Sequence, residues 1–219
     1  MKYILLALSI LLNTLVISAQ NWNIGIEAGF VHNRMAVDRY NSDPRNGFRA
    51  GAMANITLPK RIIMEAEIAF VRKGATITGD NIGGENLYEI KYAQMNYLQI
   101  PISVGYKINL GRGFSIVPQV GGYIAFATGG HSLDSGIDRW GQDYTTRSHI
   151  FDFTNENRDW GCQHGCKRLD GGFVFSMTGY YKHFGLRLGY DRGMTPVSVY
   201  GNGKHRTLYA SVTYWLKKY

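Results

Sequence analysis

Beyond residue 19 no run of apolar residues approaches the ~20 that an α-helix needs to cross a bilayer. Any membrane crossing in the remainder of the chain must therefore be made by strands. Only two cysteines occur, Cys162 and Cys166, so no second pair exists to complete the four-ligand set of a structural zinc site. His164 would supply a third ligand, with His149 or Asp159 as a fourth, but this is a weak pattern and no metal site is expected. The histidines at 32, 131, 149, 164, 183 and 205 show no motif spacing. His205 and Ser211 share a strand pattern but stand six residues apart, roughly 20 Å, too far for a nucleophile and its base. No catalytic or cofactor-binding residue is expected.

What is present begins with a leader. Met1 to Ala19 has the order of a secretory signal peptide: Lys2, then the apolar Ile4 to Leu12 and Leu15 to Ile17, then the small Ser18 and Ala19 at a cleavage point. Asn13 and Thr14 interrupt the run, which argues against an anchor helix. No cysteine lies near the cleavage point to accept a lipid. The mature chain is expected to begin at Gln20 and to form one domain, residues 20–219. Its formal charge falls from +8 to +7 with the loss of Lys2. Export argues against nucleic acid as a partner and leaves the anionic head groups of an outer membrane, lipopolysaccharide included, as the match.

Eight stretches alternate apolar and polar residues: roughly 22–31, 47–58, 61–71, 97–108, 114–126, 172–181, 184–191 and 206–216. Successive side chains of a strand point to opposite faces, so each stretch has one apolar and one polar face. Phe184, Leu186, Leu188 and Tyr190 against Gly185, Arg187, Gly189 and Asp191 is the cleanest case. Ile63 and Val71 break the polar face of the third stretch, and Val117 and Tyr123 that of the fifth. Pro101 and Pro118 cannot donate a ladder hydrogen bond, so a bulge or local break is expected at Pro101 and a second irregularity at Pro118.

The connections alternate too. Leu58-Pro59-Lys60-Arg61, Leu110-Gly111-Arg112-Gly113 and Lys182-His183 are tight turns, while 32–46, 72–96, 127–171 and 192–205 are long. Short turns on one rim and long loops on the other mark an outer-membrane barrel, with the short rim in the periplasm. The expectation is an all-β fold: an eight-stranded antiparallel up-and-down transmembrane β-barrel with short periplasmic turns and long extracellular loops. Aromatic residues bracket the apolar faces at Trp22 and Phe30, Phe114 and Phe126, and Phe184 and Tyr190, as interfacial girdles do. Strands of eight to twelve residues tilted about 45° span about 19–28 Å, which brackets an apolar band of ~25 Å. A soluble, lipocalin-like carrier would also alternate, with its apolar face turned inward.

The polar faces carry both charge signs. Glu27, Glu65, Glu67 and Asp191 are placed to meet Arg49, Lys107 and Arg187 in a lumen charge network. Eight strands enclose little more than side chains, so this network is read as filling the interior, with a proton or ion path the lesser alternative. In loop 127–171 Cys162 and Cys166 are expected to form a disulfide, since exported cysteines this close usually do. Trp140, Tyr144, Phe151, Phe153 and Trp160 make that loop a candidate binding surface, or else pack on one another or on the rim.

The opening Asn23-Ile24-Gly25-Ile26-Glu27-Ala28-Gly29, the segment Tyr97-Leu98-Gln99-Ile100-Pro101-Ile102 leading to Gly105-Tyr106, and Gly121-Gly122-Tyr123 resemble the small outer-membrane barrel proteins labelled the PorT or porin family. The resemblance covers residues 22–126 and 172–216, not the long loop. It implies an eight-stranded barrel, a link in some members to secretion across the outer membrane, and no catalytic motif. Lys217 and Lys218 interrupt the alternation before the terminal aromatic, Tyr219. The functional expectation is a non-catalytic accessory or scaffold in an envelope or secretion assembly, with envelope protein partners. The alternatives are a surface adhesin or ligand-binding barrel acting through 127–171, a lipid-modifying enzyme, and the soluble carrier.

Overall fold

The computed structural model describes residues 22–36, 41–80, 88–137, 141–150, 167–197 and 202–217. The leader, Cys162, Cys166, Trp140, Phe151, Phe153 and Trp160 lie outside the described residues. Among the described residues ten strands follow in chain order: β1 (Trp22–Ala36), β2 (Asn41–Thr57), β3 (Ile62–Asp80), β4 (Tyr88–Tyr106), β5 (Ile108–Gly111), β6 (Phe114–Ile137), β7 (Asp143–His149), β8 (Leu169–Tyr181), β9 (Phe184–Gly193) and β10 (Lys204–Trp215). β5 prolongs β4 past Lys107, and β7 folds back on the upper part of β6. The other eight form the wall. Each is antiparallel to its neighbours, β4 pairs with β6, and β1 pairs with β10, so the sheet closes.

The alternation settles which face is which. Ile26 is 61% exposed, and the next residue, Glu27, is 3% exposed. Ile24, Ile100 and Leu188 also point outward, whereas the polar faces are buried. A soluble carrier would show the reverse. The outward apolar set is exposed all round the wall, and hydrocarbon is the solvent that suits it. Ile26 lies midway between the girdle residues Trp22 and Phe30, so Ile26→Arg is expected to destabilise the folded barrel by about 2–4 kcal/mol. Urea unfolding in lipid vesicles reads this directly. Arginine at Arg34, on the same face but beyond the girdle, is tolerated by the native chain.

The inward apolar exceptions have a place. Ile63 and Val117 join Met53, Tyr180 and Trp215 in a buried layer at the short-turn end, while Val71 packs with Val31, Ala69 and Tyr209 midway up. Narrowness explains the inward glycines. Trp215 faces Gly25 across the β1–β10 ladder, and Tyr209 faces Gly189 across β10–β9. A Cβ at Gly189 would fall on the Tyr209 ring.

One expectation needs correction. The spans 32–46, 72–96, 127–171 and 192–205 are not simply loops. Strands continue into all four, and β6 runs 24 residues where about 10 suffice to cross the band. Above the lipid the inner face turns apolar, with Ala75, Ala93, Met95 and Ala127 buried in one cluster, while the outer face carries polar residues such as Gln94 and Asn96, so the apolar-out pattern is lost while the ladder goes on. At Pro101 the β3–β4 ladder shows the expected local break, without a bulge. The proline sits opposite Tyr123, and β3–β4 keeps one register on either side of it, although Glu67 and Ile68 have no ladder partner on β4. The register shifts instead at Asn96/Tyr97, and between Pro44 and Arg49 in β2–β3. Pro118 stays in register opposite Met177, while on its other edge the ladder is interrupted between β4 and β5, the expected second irregularity.

At the tight turns the backbone enters the left-handed region at Lys60 (φ 62°), Arg61 (φ 65°), Arg112 (φ 53°) and Lys182 (φ 57°), and at Gly111 and Gly113. A side chain there costs about 1–2 kcal/mol relative to glycine.

Candidate functional site

Two places in this fold gather polar chemistry: the lumen, and the part of the wall that rises beyond the lipid band.

In the lower lumen two guanidinium groups are clasped by three carboxylates. Arg49 on β2 approaches Glu27 on β1 through Nε (2.5 Å) and donates from Nη2 to both oxygens of Glu67 on β3 (3.0 and 2.9 Å). Arg187 on β9 reaches Glu27 (3.0 Å), Glu65 (2.5 Å) and Glu67 (3.5 Å). Its Nε donates to Thr178 Oγ1 at 3.1 Å. The Arg49 guanidinium also lies 4.1 Å from the Tyr209 ring centroid. All five charged side chains are buried, and each of the four strands that supply them is crosslinked to another. Arginine suits this role because its planar fork matches carboxylates in pairs.

A second storey lies above. Lys73 on β3 pairs with Asp170 on β8 at 3.4 Å, and its ammonium stands over the rings of Tyr97 and Tyr123. Tyr123 donates to Asp170 at 2.9 Å, and Gln99 donates to Asp191 at 2.9 Å. The His205 ring bridges Asn33 and the Tyr97 hydroxyl, both at 3.2 Å. Asn33 in turn donates to the Gly74 carbonyl and accepts from Thr207.

The structure thus brings Glu27, Arg49, Glu65, Glu67 and Arg187 into one cluster and places Asp191 in the storey above it. Lys107 stands apart, half-buried at the short-turn rim between β4 and β5, where its backbone N–H donates to the Arg61 carbonyl. Sequence reasoning missed Lys73, Asp170 and His205 because all three fall in the long spans where alternation fades. The signal was there in part: Val71, Lys73 and Ala75 carry the inward parity of β3 onward. Below both storeys the layer of Met53, Ile63, Val117, Tyr180 and Trp215 fills the lumen. An ordered plug of side chains, with an apolar floor, is what this interior presents.

Beyond the lipid band β3, β4, β6 and β7 continue as a raised sheet. A cleft of about 480 Å³ opens there, lined by Arg45, Gln94, His131, Ser132, Leu133 and Arg147. The rings of His131 and His149 face each other across β6–β7 at 4.7 Å. Tyr144 is exposed on β7. Elsewhere on the upper rim, outward-facing Arg34, Arg206 and Arg192 fall in one row, directly opposite one another across β1, β10 and β9. Like charges paired this way repel, so the row is a favourable seat for anions.

A closed eight-stranded wall, an outward apolar band and a filled polar lumen define an outer-membrane β-barrel. The chain belongs to the outer membrane protein beta-barrel domain family, whose model matches residues 18–199. Among solved structures it is similar to Ail, the attachment invasion locus protein of Yersinia pestis, at 12% identity and a TM-score of 0.45, over 90% of this chain and 99% of that one. The same protein has been crystallised with the heparin analogue sucrose octasulfate, and that structure gives a TM-score of 0.41. Neisserial surface protein A is similar at 13% identity and a TM-score of 0.42, over 87% of this chain and 96% of that one. Among curated proteins no match is found.

Proposed function

We propose that this barrel is a non-catalytic surface protein that binds a ligand outside the cell, in the manner of an adhesin, through the raised sheet on β4, β6 and β7. One observation carries this reading: β4 and β6, 19 and 24 residues long, continue past the lipid band and, with β7 and Arg45 of β2, enclose the cleft of Arg45, Gln94, His131 and Arg147. A plain membrane filler has no use for such a superstructure. Two arginines and an adjacent histidine pair favour an anionic ligand. The aromatic residues Trp140, Tyr144, Phe151, Phe153 and Trp160 would extend the same surface. A Cys162–Cys166 bridge would constrain the segment between them. The row Arg34–Arg206–Arg192 would hold lipopolysaccharide phosphates around the barrel.

The test is a variant in which residues 128–167 are replaced by a short Asn-Gly turn. Its heat-shift on gels is expected to persist, since the β6–β8 ladder is retained from Phe114 to Phe126. Binding to cells, matrix or a sulfated polyanion such as heparin is expected to fall at least tenfold. Unchanged binding would overturn the reading.

A second reading, an accessory or scaffold of PorT-like type in an envelope or secretion assembly, is favoured by a different feature. An apolar groove of about 530 Å³ runs along the lipid face between Phe114, Tyr181, Phe184 and Leu186, with the bare backbone of Gly179 within it. A stable complex that co-purifies and survives removal of 128–167 would support the scaffold instead.

A further inference from the structure

The chain's surplus of positive charge is not spread over the molecule. Lys60 and Arg61 occupy the β2–β3 turn, Lys107 and Arg112 flank β5, Lys182 forms the β8–β9 turn, and Lys217 follows β10. Lys218 comes next in the sequence. No aspartate or glutamate lies in any of these connections. Those seven residues nearly equal the formal excess of +8, which leaves the lumen and the opposite rim together close to neutral.

The backbone makes a second, independent point. Among the described residues the non-glycine positions with positive φ are Lys60, Arg61, Arg112 and Lys182, and every one is a cation. Glycine, asparagine or aspartate adopts that conformation with less strain. Tight turns alone would select those residues. Strain retained at one side-chain type, turn after turn, indicates that the side chain is wanted there for another purpose.

Position names that purpose. Immediately inside the cations lies a ring of exposed aromatic residues: Trp22, Tyr106, Phe114, Tyr181, Phe184 and Tyr214. Aromatic rings settle at the depth of the membrane interface. The cations therefore stand one layer further out, level with lipid phosphates, and Lys182 Nζ lies 5.0 Å from the Tyr181 ring centroid. They also occur at every short connection and after the last strand, all round the circumference. A docking protein would need them on one side. A lipid leaflet meets them all.

We infer that the short-turn rim is a cationic collar that gathers anionic phospholipid head groups in the leaflet it faces. The attraction is electrostatic and is weakened by salt. The collar is thus a lipid-selective surface separate from the ligand cleft on the opposite rim.

The test places the whole barrel in nanodiscs of phosphatidylcholine doped with photoreactive phosphatidylglycerol, or with the matching photoreactive phosphatidylcholine. Crosslinks are then mapped along the chain. In low salt the phosphatidylglycerol probe is expected to label the segments around Tyr106–Phe114, Tyr181–Phe184 and Tyr214 several-fold more than the neutral probe. The excess should disappear at high salt. In the fourfold variant Lys60→Asn, Arg61→Asn, Arg112→Asn, Lys182→Asn it should fall to near parity, while labelling near Ile100 and Ile124, midway through the lipid band on β4 and β6, serves as the internal standard. Asparagine tolerates the left-handed turn, so the variant is expected to fold, and its heat-shift confirms it. Equal labelling by both probes in the native barrel overturns the inference, whatever acidic protein the rim is found to bind. So does an excess that survives the fourfold substitution. Should the fourfold variant fail to shift, the single variants Arg112→Asn and Lys182→Asn carry the same comparison, each read at its own turn.

Discussion

Arg187→Met is expected to lower the stability of the barrel by about 3–5 kcal/mol, the range for removing one partner from a buried charge network. Arg187 pairs with Glu65 and shares Glu27 and Glu67 with Arg49, so its loss leaves three buried carboxylates facing one guanidinium. Replacement by lysine should recover less than half of the deficit. A lysine carries one point charge and lacks the fork that reaches Glu65 and Glu27 while donating to Thr178. Neutralising the orphan should help more: Glu65→Gln added to Arg187→Met is expected to restore ~1 kcal/mol or more, whereas Glu65→Gln alone destabilises. Urea titration of the four proteins in vesicles, followed by tryptophan fluorescence, closes the cycle. If Arg187→Met unfolds at the native midpoint, the cluster contributes nothing to stability.

Gly121→Val is expected to abolish folding, and Gly121→Ala to cost about 3 kcal/mol. Gly121 lies inward on β6 beside Ser103, and a Cβ there would collide with the Ile102 carbonyl oxygen and the Ser103 Cα. Backbone cannot retreat as a flexible side chain can, so the overpacking cost lies at or above the usual 1–3 kcal/mol. Gly179 is the control. It faces lipid on β8, where an added Cβ would meet nothing within 4 Å, and Gly179→Ala should be neutral or slightly stabilising. The heat-shift gel separates the three outcomes. An alanine at 121 that folds and melts like the native chain would show that β4 and β6 are less closely apposed than their ladder requires.

Parity along a strand carried most of what the sequence disclosed. It assigned the outward set of Ile24, Ile100 and Leu188 and placed Glu27, Arg49, Glu65, Glu67 and Arg187 on the inner face, because lipid imposes a rule that every crossing strand must obey. Where lipid ends, the rule ends. The upper parts of β3, β4 and β6 bury apolar residues such as Ala75, Ala93, Met95 and Ala127 inside and meet water outside, so the pattern that lipid imposes stops and such strands are hard to tell from loops. Lys73, Asp170 and His205 went unseen for that reason. Lys107 shows the converse error. Its parity is inward, but parity says nothing of height, and it lies at the rim below the plugged interior. The cleft required partners from β2, β4, β6 and β7 to converge, and no local pattern in a sequence encodes convergence.

The seam between β1 and β10 has a consequence for biogenesis. Residues Gly25 to Ala36 pair with Trp215 to Lys204, so the first and last described strands meet across a long stretch of sequence. β1 therefore keeps one edge unsatisfied until β10 has arrived. Loop closure over such a separation is slow, and an exposed edge invites aggregation meanwhile. A cell that makes this protein must keep the unfinished polypeptide soluble in transit and cap that waiting edge at the site of insertion. The twelve-residue β10 is the strand whose pairing with β1 closes the ring.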